Sequence, residues 1–389
     1  MTKPIAIVAG YLARYPLGGH LLSQLHFLAG LQRLGYEVVF IEHYGWTNAC
    51  YNSRTNTMTD DPSFGLGEVR REFDRIRLWR SCFIDAGGQW HGLSRDEVAA
   101  LCRQSAFLFS IASTTWIDEF RDCKTRIYLD TDPGFTQFKM ATAGNTSCCG
   151  YASPHDFNFH FTIGERIGQP DCPIPTCGLQ WRPTRQPVAL DLVQPQFTPQ
   201  AAHFTTVLNW TAYGGAEYAG HVYGQKDVEM LKLLDLPKKT GPIFEIALAG
   251  CNAPAEKLRA AGWIVIHPLV ASRDVDTYLD YIGNSRGEFS VAKEGYVKTR
   301  SGWFSERTAS YLASGKPAIV QDTGFSEIIP CGEGLFAFKT VEDVLLALDA
   351  IEKDYKRHCL AARSVAEEYL NSDKILGALL RQCGLPANH

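Results

Sequence analysis

Ser301-Gly302-Trp303-Phe304-Ser305-Glu306-Arg307-Thr308-Ala309-Ser310-Tyr311-Leu312-Ala313-Ser314-Gly315-Lys316-Pro317-Ala318-Ile319-Val320-Gln321-Asp322-Thr323-Gly324-Phe325 reads as loop, helix, turn, strand and loop. Ser305 is a good N-cap for a helix running through Ser314. Gly315 supplies the stop, with Pro317 just beyond it. Ala318-Ile319-Val320 is a short buried strand, and Asp322-Thr323-Gly324 closes its carboxyl end. In open α/β sheets, a helix N-terminus beside a strand's C-terminal loop is where phosphates and other anions bind. Ser305, Glu306, Arg307 and Thr308 fill that first turn, and its one Arg and two hydroxyls strengthen an anion-site reading.

Working outward, 389 residues are too many for one ordinary core, so two domains are expected. A formal net charge of −4 provides no broad basic field, which argues against a nucleic-acid partner held by phosphate neutralisation. The N-terminus runs straight into a strand without a signal peptide's apolar core. No later apolar run is long enough to span a bilayer, so a cytoplasmic protein is expected. The 12 Cys are scattered, with Cys148-Cys149 and Cys172/Cys177 the closest pairs. Zinc sites use short paired spacings that are missing here, so reduced buried thiols and no metal are expected.

In the first half, Pro4–Gly10 is strand-like, and His20–Leu34 places Leu21, Leu25, Leu28, Leu31 and Leu34 on one helical face. Glu37–Glu42 is the next strand, which makes a βαβ opening of a doubly wound sheet. A dinucleotide fingerprint starting at Gly10 would need glycines at 12 and 15, where Leu12 and Tyr15 stand. The loop instead carries Gly18-Gly19-His20, with paired glycines that let backbone N–H groups approach a ligand. Residues 45–66 read as an irregular loop and Gly67–Arg80 as a solvated helix. Strands are expected at Ala106–Ile111, Arg126–Asp130 and Phe159–Ile163. Asp130 and Asp132 lie at a strand's carboxyl end, where either could orient a general-base His. A plain Asp-Pro-Gly turn is the structural alternative.

Residues 182–200, rich in Pro, read as a linker between an N-terminal domain over 1–181 and a C-terminal domain over 201–370. A last helix over 371–389 is expected to pack back on the first domain. In the second domain, Phe204–Asn209, Phe244–Ala249, Trp263–Ile266 and Glu288–Ala292 read as strands, and Thr211–Gly224 as a Gly/Tyr loop. Lys226 opens a helix after that loop, which makes it a candidate phosphate contact.

The segment Leu312-Ala313-Ser314-Gly315-Lys316-Pro317-Ala318-Ile319-Val320-Gln321-Asp322-Thr323-Gly324 resembles the donor segment "A-x-G-x-P-V-V-x-x-D-x-G" of the GT-B superfamily of nucleotide-sugar glycosyltransferases. Gly18-Gly19 and the Leu-rich helix resemble that superfamily's N-terminal loop. Gly224-Gln225-Lys226 sits where many members keep a donor-phosphate Lys. The resemblance implies an α/β fold of two Rossmann-like, doubly wound domains facing a cleft. It also implies a UDP-sugar as co-substrate, a small-molecule acceptor, and no cofactor or metal. Retaining members carry a Glu-x₇-Glu pair, but the matching positions here are Gly302 and Ser310. That departure points to inversion, with His20 as acceptor base and Asp132 as its helper.

On this reading Lys226, Ser305, Glu306, Arg307 and Thr308 hold the diphosphate together with Gly18 and Gly19. Asp322, Thr323 and Gly324 bind the sugar, and the base ring lies at His267 and Leu269. Three rivals stand beside it: a sugar-nucleotide epimerase, transfer to a modified base in DNA or to another polymer, and a non-catalytic sugar-nucleotide-binding protein.

Overall fold

The computed structural model describes residues 3–143, 152–250 and 252–387. The Cys148-Cys149 pair lies outside them. Contacts divide the chain into two units: 1–163 with 176–189 and 372–389, and 164–175 with 190–371.

The strands of the first unit are β1 (Ile5–Ala9), β2 (Glu37–His43), β3 (Cys50–Asn52), β4 (Thr57–Thr59), β5 (Arg80–Ile84), β6 (Trp90–Gly92), β7 (Phe107–Ile111), β8 (Arg126–Asp130), β9 (Phe159–Thr162) and β10 (Trp181–Pro183). Eight of them form one sheet in the order β10-β9-β8-β7-β1-β2-β5-β6. All its pairings are parallel except β5 with β6. β1 and β7 are almost wholly apolar, and β8 is apolar between its terminal Arg126 and Asp130, because parallel strands with covered faces have no solvent side to serve. The last helix, Ser372–Gln382, belongs to this unit; Arg33 Nε reaches Asp373 at 2.8 Å, and the Ser372 amide donates to the Val188 carbonyl at 2.9 Å.

The second unit holds β11 (Phe204–Asn209), β12 (Ala216–Tyr218), β13 (His221–Tyr223), β14 (Phe244–Ala249), β15 (Ile264–Ile266), β16 (Gly287–Ser290), β17 (Ala318–Gln321) and β18 (Leu335–Phe338). Six run parallel in the order β15-β14-β11-β16-β17-β18. Phe244, Phe289 and Phe338 stack through its core, with ring centroids 4.7 and 5.5 Å apart. Strand order reverses between β1 and β7 in the first sheet and between β11 and β16 in the second. At such switch points, crossovers leave in opposite directions and open a crevice at the strands' carboxyl ends.

Several expectations need correction. The helix expected over Gly67–Arg80 is Ser63–Arg75, and of its supposed tail 76–79 is turn while Arg80 opens β5. Arg77 makes the break at φ 55°, a left-handed turn without the usual glycine signal. The first long helix begins at Gly18, so the paired glycines form its first turn rather than a loop. Arg182 and Pro183, expected to open a linker, belong to strand β10 against β9. Among the described residues no helix is long and apolar enough to cross a membrane.

One buried acid organises the first unit's switch point. Glu42, at the end of β2, accepts the amides of Leu12, Ala13 and Arg14 at 2.7, 2.8 and 3.0 Å, and the Arg14 Nε at 3.3 Å. Burial pushes the Glu42 carboxyl up, and Arg14 with the three amides opposes that shift. Arg14 Nη2 also donates to the Thr114 carbonyl at 2.9 Å, which ties the loop after β1 to the loop after β7. Glu42→Ala would strand a buried guanidinium and three amides, so we expect a loss of about 3–5 kcal/mol in denaturant unfolding. Glu68→Ala, which removes only surface ion pairs, should cost less than about 1 kcal/mol.

Candidate functional site

In the second unit, polar chemistry converges on the switch point between β11 and β16. Ser305 caps the helix Glu306–Ala313, its Oγ accepting the Arg307 amide at 3.2 Å. That cap aims Arg307 back into the sheet. Its Nε donates to Glu288 Oε1 on β16 at 2.7 Å, and its Nη1 to the Val207 carbonyl on β11 at 2.8 Å. Burial works against the charge on Arg307, but Glu288 outweighs it and lifts the pKa above its ordinary value. Nη2 has no hydrogen-bond partner among the described residues. Nearby, Glu288 Oε2, Thr308 Oγ1 and Gln225 Nε2 are buried and have no hydrogen-bond partner among the described residues.

Lys226 opens the helix Lys226–Lys232 after the β12–β13 hairpin. It is half-buried and makes no hydrogen bond or ion pair to any described residue. Burial lowers its pKa to about 7, and the nearby charges of Arg307 and Lys293 push the same way. Lys293, just beyond β16, is the cation that sequence reading missed. It is the N-cap of the helix Glu294–Thr299. A short ladder joins that helix start to the Lys226 loop: the Glu294 amide donates to the Gln225 carbonyl at 3.2 Å, and the Gly295 amide to the Gly224 carbonyl at 3.1 Å. The Gly224 amide donates to Glu294 Oε2 at 2.7 Å. Lys226, Lys293 and Arg307 thus share one neighbourhood in which Glu288 is the buried carboxylate.

Other expected donor contacts have different occupations. Ser305 is spent as a cap, and Thr308 and Thr323 are fully buried, so none of the three hydroxyls is open to a diphosphate or sugar here. Thr323 Oγ1 donates to the Trp303 carbonyl at 2.6 Å. Asp322 does not present a bare carboxylate. Its Oδ1 accepts the Gly324 amide at 2.9 Å, and its Oδ2 accepts the Ser326 hydroxyl at 3.0 Å and lies 3.4 Å from Lys339 Nζ. Glu306 is half-buried and accepts the Ser305 hydroxyl at 3.4 Å. His267 is the exposed N-cap of the helix Pro268–Ser272, its Nδ1 accepting the Leu269 amide at 3.3 Å, beyond the edge strand β15.

In the first unit, Gly18 and Gly19 open a helix whose N-cap, Leu17, offers no capping side chain. His20 Nε2 lies 2.6 Å from the Tyr11 carbonyl oxygen. A carbonyl cannot donate, so Nε2 carries the proton and Nδ1 the lone pair in the neutral ring. Gln24 Nε2 donates to the same carbonyl at 2.7 Å, and the Tyr11 ring packs on His20 with centroids 4.3 Å apart. The loop that orients His20 is therefore the one clamped by Glu42. Asp130 is fully buried and takes up Thr136 Oγ1, Gln137 Nε2, Thr162 Oγ1 and the Asp132 amide at 2.7–3.0 Å. Burial pushes its carboxyl up against these donors, which marks it as the organiser of the turn after β8. Asp132 is half-buried in that turn. After β7, Ala112 and Ser113 are consecutive non-glycine residues at φ 56° and 50°, a strained backbone of the kind that persists where surroundings enforce it.

No protein-family model matches the sequence, and no curated protein does. Solved structures do match its shape. An alpha-glucosyltransferase in complex with UDP superposes with a TM-score of 0.57 at 9% identity, covering 98% of this chain and 100% of that one. An alpha-glucosyltransferase in complex with UDP and a 13-mer DNA containing an HMU base gives 0.59 at 8% identity, covering 98% and 99%. Sucrose-phosphate synthase from Thermosynechococcus elongatus gives 0.52 at 12% identity, also covering 98% and 99%. This chain has the GT-B fold.

Within the GT-B frame, the missing Glu pair has a local cause. Gly302 sits at φ 76°, and a Cβ there would lie 2.9 Å from Arg166 Cγ, so no Glu fits. Ser310 is buried and donates to the Glu306 carbonyl at 3.0 Å. Arg166 is itself held by Asp171 and Glu327, with Arg300 on the same two carboxylates.

Lys226 gives a pH test. Its folded pKa is below its ordinary 10.5, so the folded state resists the charge. The penalty is complete below about pH 7 and fades as pH rises towards 10.5. Lys226→Met should therefore raise Tm at pH 6, with the gap to wild type closing by about pH 10. A gap constant with pH would contradict the assignment.

Proposed function

We propose that this GT-B protein transfers a sugar from a nucleoside-diphosphate sugar, UDP-sugars first among them, to a hydroxyl of a small-molecule acceptor. The observation that carries the proposal is the convergence of Lys226, Arg307 and Lys293 on the β11/β16 switch point around one buried carboxylate. Such a group of fixed, partly desolvated cations suits a diphosphate. It suits the transition state better still, because departure of a nucleoside diphosphate builds charge there. Lys226 and the Arg307 Nη2 would meet that charge without a metal. The base ring would lie along His267–Leu269, and the sugar near Glu306 and the turn at Asp322–Gly324.

His20 would act as acceptor base through Nδ1, its Nε2–H held by the Tyr11 carbonyl. Asp132 would support it. This is the logic of inversion, in which the acceptor oxygen attacks the anomeric carbon as the C–O bond to the diphosphate breaks and His20 takes the proton.

A second acceptor class, a hydroxymethylated base in DNA, is raised by the fold neighbour bound to DNA with an HMU base. The net charge of −4 favours the small molecule. A thermal-shift panel of nucleoside diphosphates and their sugars should show one pair raising Tm by mass action. With a competent acceptor, Lys226→Met should cut kcat about 10²- to 10³-fold. His20→Ala should remove transfer and leave UDP affinity unchanged; loss of UDP binding in that variant would sink the base assignment. An α-linked product from an α-linked donor would exclude inversion.

A further inference from the structure

The turn that ends the helix Ser63–Arg75 puts a tryptophan on the surface of the first unit. Arg77 closes that helix in its left-handed conformation: its amide donates to the Asp74 carbonyl at 3.2 Å, and the Leu78 amide to the Phe73 carbonyl at 2.9 Å. The closure turns Leu78 into the core, so the next side chain, Trp79, points outward and is 72% exposed. The Trp79 side chain makes no hydrogen bond or ring contact with any described residue.

Trp79 and Leu78 are shared by two grooves of about 580 and 470 Å³. Both grooves are amphipathic. Tyr36, Val38 and Ile76 give the first an apolar wall, and Val69, Phe73 and Leu93 give one to the second. Lys3, Arg77 and Arg80 line the first and Arg70 the second, against one acid in each, Glu37 and Asp74. Arg80 Nη1 lies 3.0 Å from Glu37 Oε1. Lys3, Arg70 and Arg77 are exposed, and their side chains make no hydrogen bond or ion pair to any described residue. The patch is therefore positive on a chain whose net charge is −4. Its place in the fold is separate from the switch point. Glu37 opens β2 and Arg80 opens β5, and both strands run parallel to β1. The grooves thus lie at the amino ends of these strands, and the crevice at their carboxyl ends.

A protruding indole beside apolar walls and unpaired cations matches an amphiphilic anion. Phosphate meets the cations, and an indole settles where polar headgroups give way to acyl chains. A nucleic-acid strand is served less well, because it stacks successive bases on several aromatic rings along a basic track. Here one exposed ring stands alone, and Glu37 and Asp74 interrupt the cations. We propose that this face of the first unit docks on a membrane surface carrying anionic phospholipid, with Trp79 at the headgroup boundary and Lys3, Arg70 and Arg77 on lipid phosphates. The association is peripheral and reversible, because one indole and a few cations fall short of a stable anchor. It leaves the crevice of the same unit open to water.

The test is co-sedimentation of the full chain with vesicles of phosphatidylcholine, alone or with about one-third phosphatidylserine. The proteins compared are wild type, Trp79→Ala, Arg77→Ala and the double variant Arg70→Ala/Arg77→Ala. All three positions are exposed, and an unchanged Tm checks that each variant folds. Wild type should bind the phosphatidylserine vesicles, lose most of that binding in high salt, and ignore phosphatidylcholine alone. Each cation removed should weaken partition about fivefold, and Trp79→Ala should weaken it about tenfold. The vesicles should shift tryptophan emission to the blue in wild type but not in Trp79→Ala, a signature that a purely electrostatic contact lacks. Failure of wild type to bind the phosphatidylserine vesicles overturns the proposal. So does equal binding to phosphatidylcholine alone, or binding that every variant retains. Tighter binding of a single-stranded oligonucleotide, lost in the same variants, assigns the patch to nucleic acid and overturns it as well.

Discussion

The Arg307–Glu288 ion pair, 2.7 Å long and buried, fixes the geometry on which the second unit's chemistry rests. One guanidinium ties the helix Glu306–Ala313 to the two central strands, to Glu288 on β16 and to the Val207 carbonyl on β11. Its energetic meaning is asymmetric. Burying such a pair brings little net stability, whereas removing either partner leaves a stranded charge. The benefit is positional: a cation is held where the strand order reverses. Lys226 and Lys293 add charge beside it, and the depressed pKa of Lys226 reflects its burial first and the nearby cations second, with Glu306 and Glu288 opposing.

The first unit solves the same problem with the same parts. Glu42 and Arg14 form a buried acid–arginine clamp at the other switch point, where the acid gathers three consecutive amides and the arginine reaches across to Thr114. The clamp fixes the loop whose Tyr11 carbonyl sets the His20 tautomer. Glu42 gathers backbone amides whereas Glu288 holds the Arg307 side chain, and each buried carboxylate leaves the exposed chemistry to a neighbour. Asp130, fully buried and taken up by four donors, is such an organiser too.

Much of the frame was legible because it rests on strong local signals. The Ser305 cap, the Gly315 stop and the Ala318–Val320 strand announce themselves by residue type, as do the apolar parallel strands β1, β7 and β8. What was missed lacks such signals. The helix was carried five residues too far, to Arg80, and β5 was missed, because the break is made by Arg77 in a left-handed conformation, with no Gly or Pro. The β12–β13 hairpin turns through Ala219 and Gly220, both at positive φ, where Asn-Gly would have been the readable form. Within the site, Lys226 was legible from its place at a helix start after a glycine. Lys293 was not, because its proximity comes from tertiary pairing with Gln225. Glu42 and Glu288 carried a usable signal: a charged residue in an apolar parallel strand needs a partner, and each has an arginine.

The central claim is that the nucleoside diphosphate sits on the cations at the β11/β16 switch point. Native-state hydrogen exchange with and without UDP reads this most directly, amide by amide. Added UDP should slow exchange in the Gly224–Glu229 and Lys293–Thr308 segments together. Binding that leaves both segments unchanged and protects another part of the chain would contradict the account.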